Sequence, residues 1–472
     1  MTLIRSISGI RGTIGGEPGK GLTPLDVVRY SAAYGTMIRS RSNGKRPRVV
    51  LGRDARVSGP MVRDLVAATL AGLGIDVLDL GLATTPTVEL AVTGENAQGG
   101  IILTASHNPG QWNALKLLNS AGEFISALDG QHVLELAEKE KFDFAPLESL
   151  GTIRPVSGWT RRHIDAILAL DLVDTAAIKK ANFRVVVDAV NSVGGEVVPA
   201  LLTALGVSEV VCIHCVPDGQ FPHNPEPLPE NLKDLCASVK RHKAHLGVAV
   251  DPDVDRLALV CEDGSLFGEE YTLVACADHV LAHRPGDTVS NLSSTRALND
   301  IAAKHGRKRH ASAVGEVNVV EMMKKVHAPI GGEGNGGVIL SELHHGRDAL
   351  VGIALFLTHL ANSGMSCSAL RKSYPDYFIS KNKIDASAAK SGVKELLDVM
   401  QRRYRNEPHT TIDGLRIEFG NSWVHLRMSN TEPILRIYAE APSMEEADRL
   451  AHRFMKELNE AAEAPVISDR AH

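Results

Sequence analysis

The chain has 472 residues, 44% of them hydrophobic and 23% charged, and a formal net charge of −5. This length implies several domains with buried cores, and a mildly acidic balance without a long basic run excludes a general nucleic-acid-binding protein. No apolar stretch approaches the roughly eighteen residues of a membrane span; with Arg5 and Arg11 near an amino terminus that lacks a signal-type apolar core, a soluble cytoplasmic protein is expected.

Residues 1–155 alternate apolar runs such as Arg48–Leu51 with helical stretches such as Met61–Leu73, the α/β pattern. Within this block the run Gly100-Ile101-Ile102-Leu103 ends in Thr104-Ala105-Ser106-His107-Asn108-Pro109, which puts Ser106 on a loop after a buried strand. A serine there is either a nucleophile or phosphoryl carrier, or a helix cap. The charged, proline-containing stretch Lys139–Pro155 reads as a linker.

The second block, 156–256, opens with a helix at 160–171 and the strand Arg184–Asp188. Cys212-Ile213-His214-Cys215 is formally a C-x-x-C, but it lies in an apolar run without a second ligand pair and reads as structural, and six cysteines in a chain this long suggest reduced thiols. The block ends where the strand Leu246–Val250 meets Asp251-Pro252-Asp253-Val254-Asp255-Arg256. Three carboxylates at alternate positions repel one another unless a cation holds them, and Mg²⁺ with a substrate phosphate is the natural occupant. A calcium loop of the EF-hand type is the rival, since Glu262 falls at its twelfth position; yet Arg256 stands where that loop needs glycine, and Leu257–Val260 reads as a strand. A solvated acidic turn is the third reading.

The third block, 257–372, contains the strand Thr288–Leu292, the loop Gly331-Gly332-Glu333-Gly334-Asn335-Gly336-Gly337 and a helix at 348–362. The loop formally holds G-x-G-x-x-G, but Val338-Ile339-Leu340 continues as a strand, not as the helix of a dinucleotide site, and the Lys-Ser/Thr of a P-loop is absent. What remains is a glycine turn presenting Glu333 and Asn335, a pair suited to sugar hydroxyls. The fourth block, 373–472, changes character: Val424–Arg427 and Ile434–Ala441 alternate as antiparallel strands, and Met444–Leu458 follows as a helix. Arg427 and Arg436 bracket Ser429, Asn430 and Thr431, either a grip for a phosphate dianion or a capped turn.

Together these four segments resemble the α-D-phosphohexomutase superfamily, whose signatures are a TASHNP-type phosphoserine loop, a DPDxDR metal loop, a GGExxGG or GGExSGH sugar loop and an RxSNTEP phosphate loop. Ser8-Gly9-Ile10-Arg11-Gly12 and Gly52-Arg53-Asp54-Ala55-Arg56-Val57-Ser58-Gly59 are similar to two further family segments. The resemblance implies three similar α/β domains with mixed sheets plus a carboxy-terminal α+β domain, arranged around a central cleft. It also implies Ser106 as phosphoserine and Mg²⁺ on Asp251, Asp253, Asp255 and a phosphoserine oxygen, with Arg256 adding positive charge. Arg427, Ser429, Asn430, Thr431 and Arg436 would hold the substrate's phosphate, Arg11 would orient phosphates, and His107 and Lys116 are candidates for the general base. The reaction so implied runs through a sugar 1,6-bisphosphate.

Two departures stand out. Many members have histidine where this chain has Gly337 and serine where it has Asn335, which shifts the expected proton route to Lys116; and Val317 replaces a basic residue. This combination resembles a subgroup for which glucosamine 6-phosphate to glucosamine 1-phosphate conversion is expected, with phosphomannomutase/phosphoglucomutase activity as the alternative. A serine hydrolase would need a G-x-S-x-G elbow, which Ser106 lacks. A non-catalytic sugar-phosphate-binding protein is the alternative of a different class, and monomer and dimer are both open.

Overall fold

The computed structural model describes residues 2–6, 9–385, 392–428 and 434–463. Ser8, Ser429, Asn430, Thr431 and the tail 465–472 lie outside them. Among the described residues four sheets follow one another along the chain. The first contains β1 (Leu3–Ser6), β2 (Gly9–Thr13), β3 (Arg48–Arg53), β4 (Asp76–Leu82), β5 (Gly99–Leu103), β6 (Trp112–Leu118) and β7 (Ile153–Pro155), in the order β1-β2-β6-β5-β3-β4-β7. Strands β3, β4 and β5 are parallel, whereas β6 is antiparallel to β5 and β2. Helices cover both faces, so alternate residues of β3 serve two cores. Val49 and Leu51 pack with helices Pro24–Ser40, Gly59–Gly72 and Ala127–Lys139, while Val50 faces helix Thr85–Gly94 and Trp159. The stretch read as a linker ends in β7, which pairs in parallel with β4. Its three residues are too few to show a strand period, and Pro155 is tolerated because β7 is an edge.

The second sheet comprises β8 (Arg184–Asp188), β9 (Glu209–Ile213), β10 (Leu246–Val250) and β11 (Leu257–Cys261), ordered β11-β10-β8-β9. Because β11 is antiparallel to β10, this sheet runs through Cys261, past the boundary expected at 256. The third comprises β12 (Thr288–Asn291), β13 (Arg309–Ser312), β14 (Ile330–Glu333) and β15 (Gly337–Leu340), ordered β13-β12-β14-β15.

A repeat invisible in the residue identities emerges from these orders. In chain order each unit lays down two parallel strands and then a hairpin, with the hairpin's first strand beside the first of the pair: β3-β4 with β5-β6, β8-β9 with β10-β11, β12-β13 with β14-β15. The hairpin turns carry Ser106, the Asp251–Asp255 loop and the glycine loop, respectively. The fourth sheet differs: β16 (Phe378–Asp385), β17 (His409–Thr410), β18 (Leu415–Phe419), β19 (Ser422–Met428) and β20 (Ile434–Ala441) are wholly antiparallel, in the order β16-β20-β19-β18-β17. Helices Gly392–Arg403 and Met444–Glu463 cover one face, around Met400, Leu426, Ile437 and Phe454.

A buried polar chain joins the first three units. His163 Nε2 lies 2.8 Å from Asp348 Oδ2 and its Nδ1 3.0 Å from Thr87 Oγ1. Asp348 Oδ1 accepts from Leu350 N and Val351 N, capping helix Ala349–Ser363. His344 lies 3.3 Å from Asp348 and, through Nδ1, 3.2 Å from Glu89. Burial pushes the Glu89 carboxyl up to about 8. Burial opposes charge on His344, but Asp348 and Glu89 outweigh it and push the imidazole up to about 10.

The sign of the linkage follows. A histidine whose folded value exceeds its ordinary 6.5 contributes stability that is full below 6.5 and is lost as pH rises through about 10. The raised Glu89 acts in the same direction. Tm should therefore fall between neutral pH and pH 10 more steeply in the wild type than in His344→Gln; parallel profiles would contradict the assignment.

Candidate active site

Ser106 follows β5 with φ 47°, in the left-handed region, and is buried. Its Oγ donates to Asp251 Oδ2 at 2.6 Å, and its N–H donates to Thr104 Oγ1 at 2.9 Å. The loop is shaped from within by Arg56, a fully buried arginine. Nη2 donates to the carbonyls of Ser106 and Asn108 at 2.5 and 2.6 Å, and Nη1 to those of Pro109 and Trp112 at 2.7 and 3.0 Å. Nε pairs with Asp54 at 3.0 Å, and Asp54 also accepts from Thr104 Oγ1 at 2.7 Å. The Gly52–Gly59 segment is thus the internal brace of the Ser106 loop, a role that its sequence does not announce.

Asp251, Asp253 and Asp255 are fully buried, with ligand oxygens within 4.8 Å of one another. Val254 sits between them at φ 62°, a costly conformation for a β-branched residue, of order 1–3 kcal/mol. It is held by bonds from its N–H to Asp251 O and from Ala349 N to its carbonyl, both 3.1 Å. Asp251 Oδ1 accepts from the N–H groups of Asp255 and Arg256. Asp253 Oδ2 accepts from Thr85 Oγ1 at 2.6 Å and Lys116 Nζ at 2.7 Å. Asp255 Oδ2 accepts from Arg347 Nη2 at 2.7 Å and Lys116 Nζ at 3.3 Å. Oδ1 of both Asp253 and Asp255 is buried without a hydrogen-bond partner. Unpartnered buried carboxylate oxygens are costly, and a set of hard oxygen donors fits Mg²⁺. Burial, then Asp255 and Asp253, pushes the Asp251 carboxyl well up; burial would raise Asp255 too, but Arg347, Lys116 and Arg256 hold it low. The calcium-loop rival fails on geometry, because the Glu262 carboxylate accepts from Ser368 N and Oγ.

The third hairpin meets this loop through Arg347, which no motif in the sequence marks. Arg347 pairs with Asp255, with Glu333 at 2.7 Å and with Glu316 at 3.1 Å. Glu333, expected to face sugar hydroxyls, has both oxygens engaged within the protein: Oε1 accepts from Asn291 Nδ2 and Gly315 N, and Oε2 from Arg347 Nη1. Asn335 Oδ1 accepts from Gly337 N at 3.2 Å. A Cβ on Gly337 would lie 2.3 Å from Arg347 Cδ. The position that resembles the family's histidine is therefore closed here by an arginine stem.

Lys116, in β6, is the residue to which the sequence shifted the proton route. Burial opposes its charge, yet Asp253 and Asp255 outweigh burial and raise its pKa, which favours the ammonium form. Burial and then Arg256 hold His107 well below the ordinary imidazole range; its Nδ1 lies 3.4 Å from Ser106 Oγ. Arg256 Nη1 donates to Glu226 at 3.3 Å, and Glu226 lies 3.9 Å from His107 Nε2. Glu226 escaped the sequence reading; the surrounding Asn224-Pro225-Glu226-Pro227 marks only a rigid loop. Arg11 lies in β2 near the same charges: burial, Arg256 and Arg347 lower its pKa, and Asp253 and Asp255 oppose them. Arg427 and Arg436 stand directly opposite each other on β19 and β20. Arg427 Nε and Nη1 and Arg436 Nε are buried without hydrogen-bond partners, although Asp413 comes to 3.5 Å of Arg427. The intervening Ser429, Asn430 and Thr431 are outside the described residues.

Sequence profiles for phosphoglucomutase/phosphomannomutase alpha/beta/alpha domains I, II and III match residues 3–144, 161–264 and 268–377, and that for the C-terminal domain matches 381–457. The chain belongs to the α-D-phosphohexomutase superfamily. This phosphohexomutase is 37% identical over 459 residues to the phosphoglucomutase/phosphomannomutase of Thermococcus kodakarensis, covering 96% of this chain and 98% of that protein. It is 34% identical over 448 residues to a protein of Pyrococcus horikoshii named "probable phosphoglucosamine mutase", covering 94% and 95%. Among solved structures, a phosphoglucomutase/phosphomannomutase family protein of Burkholderia thailandensis superposes with TM-score 0.84 at 27% identity, covering 97% of each chain. The phosphohexomutase is accordingly an intramolecular phosphotransferase, an isomerase of carbohydrate metabolism.

Gly337→Ala should displace Arg347 from Asp255 and Glu333. Overpacking of a closed site costs about 1–3 kcal/mol, so the expected results are a lower Tm and weaker Mg²⁺ activation, measured as the concentration for half-maximal rate. Unchanged Mg²⁺ dependence would show that Arg347 has room to yield.

Proposed function

We propose that this phosphohexomutase carries a phosphoryl group on Ser106 and passes it between the two ends of a hexosamine phosphate, interconverting glucosamine 6-phosphate and glucosamine 1-phosphate. The observation that carries the mechanism is the hydroxyl of Ser106 at 2.6 Å from Asp251, beside buried Asp253 and Asp255 oxygens without partners. In the forward step the bond from phosphorus to Ser106 Oγ breaks and one to the sugar hydroxyl forms, giving a sugar 1,6-bisphosphate. After the bisphosphate turns over in the cleft, Ser106 recovers the other phosphoryl group. Mg²⁺ bound by Asp251, Asp253, Asp255 and Ser106 would neutralise charge on the transferred group. His107, kept neutral by burial, is our candidate to take up the sugar hydroxyl's proton and return it to the departing Ser106 Oγ, 3.4 Å from its Nδ1. Lys116 and Arg256 supply positive charge, and Arg11 orients phosphate.

Arg427 and Arg436, with Ser429, Asn430 and Thr431, hold the phosphate that is not reacting; the unpartnered guanidinium nitrogens support this. Glu333 acts by fixing Arg347, and Asn335, whose Nδ2 donates to Glu333 Oε2 at 3.5 Å, is the loop's proposed contact to a sugar hydroxyl. The glucosamine substrate is supported by the glycine loop's departures and by relatives such as that of P. horikoshii. Phosphomannomutase/phosphoglucomutase activity is the second reading, favoured by the T. kodakarensis relative.

Comparing kcat/KM for glucosamine, glucose and mannose 1-phosphates decides between the two readings, with the glucosamine compound expected to lead. Ser106→Ala should lose at least about a thousandfold in rate while still binding sugar phosphate, and intact mass should reveal a phosphate on the wild type alone. Near-normal turnover by that variant would sink the mechanism.

Arg427→Ala should lower kcat/KM in both directions, by roughly 1.5–3 kcal/mol of lost charge-assisted bonding, and release bisphosphate into solution. A loss confined to one direction, with bisphosphate retained, would remove Arg427 from the common clamp.

A further inference from the structure

A further set of metal-type ligands, distinct from Asp251, Asp253 and Asp255, gathers at the carboxyl ends of β8 and β9, the edge at which open α/β sheets receive ligands. Asp188 ends β8 and is buried. His214, just after β9, stands at φ 50° and brings Nδ1 to 3.1 Å from Asp188 Oδ2. His223, from the loop beyond, brings Nε2 to 3.2 and 3.4 Å from the two Asp188 oxygens. One ligand atom from each of the three lies within 4.8 Å of the others. Cys212 and Cys215, which drew attention in the sequence, are not in this group; Cys215 Sγ is directed at the carbonyls of Ile213 and Val187. The histidine between them is.

Hydrogen bonding indicates what the group holds. His223 Nδ1 lies 2.8 Å from the carbonyl oxygen of Asn224, which can only accept, so that nitrogen bears the ring proton. Nε2 then faces the Asp188 carboxylate, an acceptor, so either a second ring proton or a metal cation lies between them. A ligating histidine commonly has its other nitrogen bonded to a backbone carbonyl in this manner. The ion pairs of Asp188 among the described residues are with His214 and His223, with no Lys or Arg, so its buried charge has no permanent cationic partner. Two imidazole nitrogens and a carboxylate suit a borderline divalent ion and not Mg²⁺.

We propose that Asp188, His214 and His223 form a second metal site, for a cation of the Zn²⁺ class, separate from the Asp251–Asp255 loop. The segment it would fasten runs from His214 to Glu226. That segment places Phe221 under the guanidinium of Arg56 at 5.1 Å and Glu226 against Arg256 at 3.3 Å. A cation there braces the loop that backs both the Ser106 brace and the metal loop.

The test titrates the metal-stripped full-length protein with Co²⁺ in saturating Mg²⁺, following visible absorption. A single Co²⁺ per chain is expected, with the bands of an imidazole-containing site. Binding should survive Asp253→Asn and weaken at least about tenfold in His214→Gln and in His223→Gln. Zn²⁺ should displace the Co²⁺ and raise the Tm of the wild type but not of His223→Gln. The two histidine variants are independent, so the test stands if one of them fails to fold. Absence of Co²⁺ binding, as a merely protonated His223 would give, or binding that either folded histidine variant retains, would overturn the site.

Discussion

The placement of Lys116, Thr85 and Arg347 answers to the mutual repulsion of Asp251, Asp253 and Asp255. Three carboxylates taken out of water within a few ångströms of one another cannot persist on their own, because desolvation and like-charge repulsion add. The fold meets this with groups from elsewhere in the chain: Lys116 and Thr85 from the first unit, Arg347 from the third, and backbone N–H groups from the loop itself. Relief of one electrostatic problem therefore fixes how three units face each other. Two carboxylate oxygens still lack partners, and there the proposed cation completes the balance.

The repeated hairpin explains how three different chemistries come to one place. Each of the first three units ends its parallel strands with an antiparallel return, and each return turns at the corresponding edge of its sheet. A single architecture thus offers three equivalent loop positions, and the loop sequences differentiate them into a carrier serine, an acidic cluster and a glycine turn. The fourth unit stands outside this scheme and meets the third through bonds such as Ser293 Oγ to His425 Nδ1. Its contribution, the opposed pair Arg427 and Arg436, depends on antiparallel register instead of a loop at a parallel edge.

The sequence disclosed most of the elements and the motif loops because those are local: an apolar run, a turn residue and an alternation of carboxylates are read within ten residues or so. It concealed whatever depends on distant pairing. Arg347 meets Asp255 across 92 positions and Arg56 meets the Ser106 carbonyl across 50, and neither arginine has neighbours that betray its partner. Misreadings have the same origin. Lys116 reads as a candidate base and Glu333 as a partner for sugar hydroxyls, because the charges that immobilise them lie outside their own motifs, in the second unit for Lys116 and at Arg347 of the same unit for Glu333. The three-residue β7 looked like a linker, since its pairing with β4 is what makes it a strand.

One consequence concerns the polarity of the Ser106 loop. Arg56 draws the carbonyls of Ser106 and Pro109 inward, and a planar trans peptide must then point its N–H the opposite way. The amides so turned outward belong to His107 and Gly110, and neither donates to a partner among the described residues. A buried cation has thereby converted an uncharged turn into an oriented dipole, negative pole inward and positive pole outward. Such a surface attracts an anion through the backbone itself, whatever side chains the loop displays.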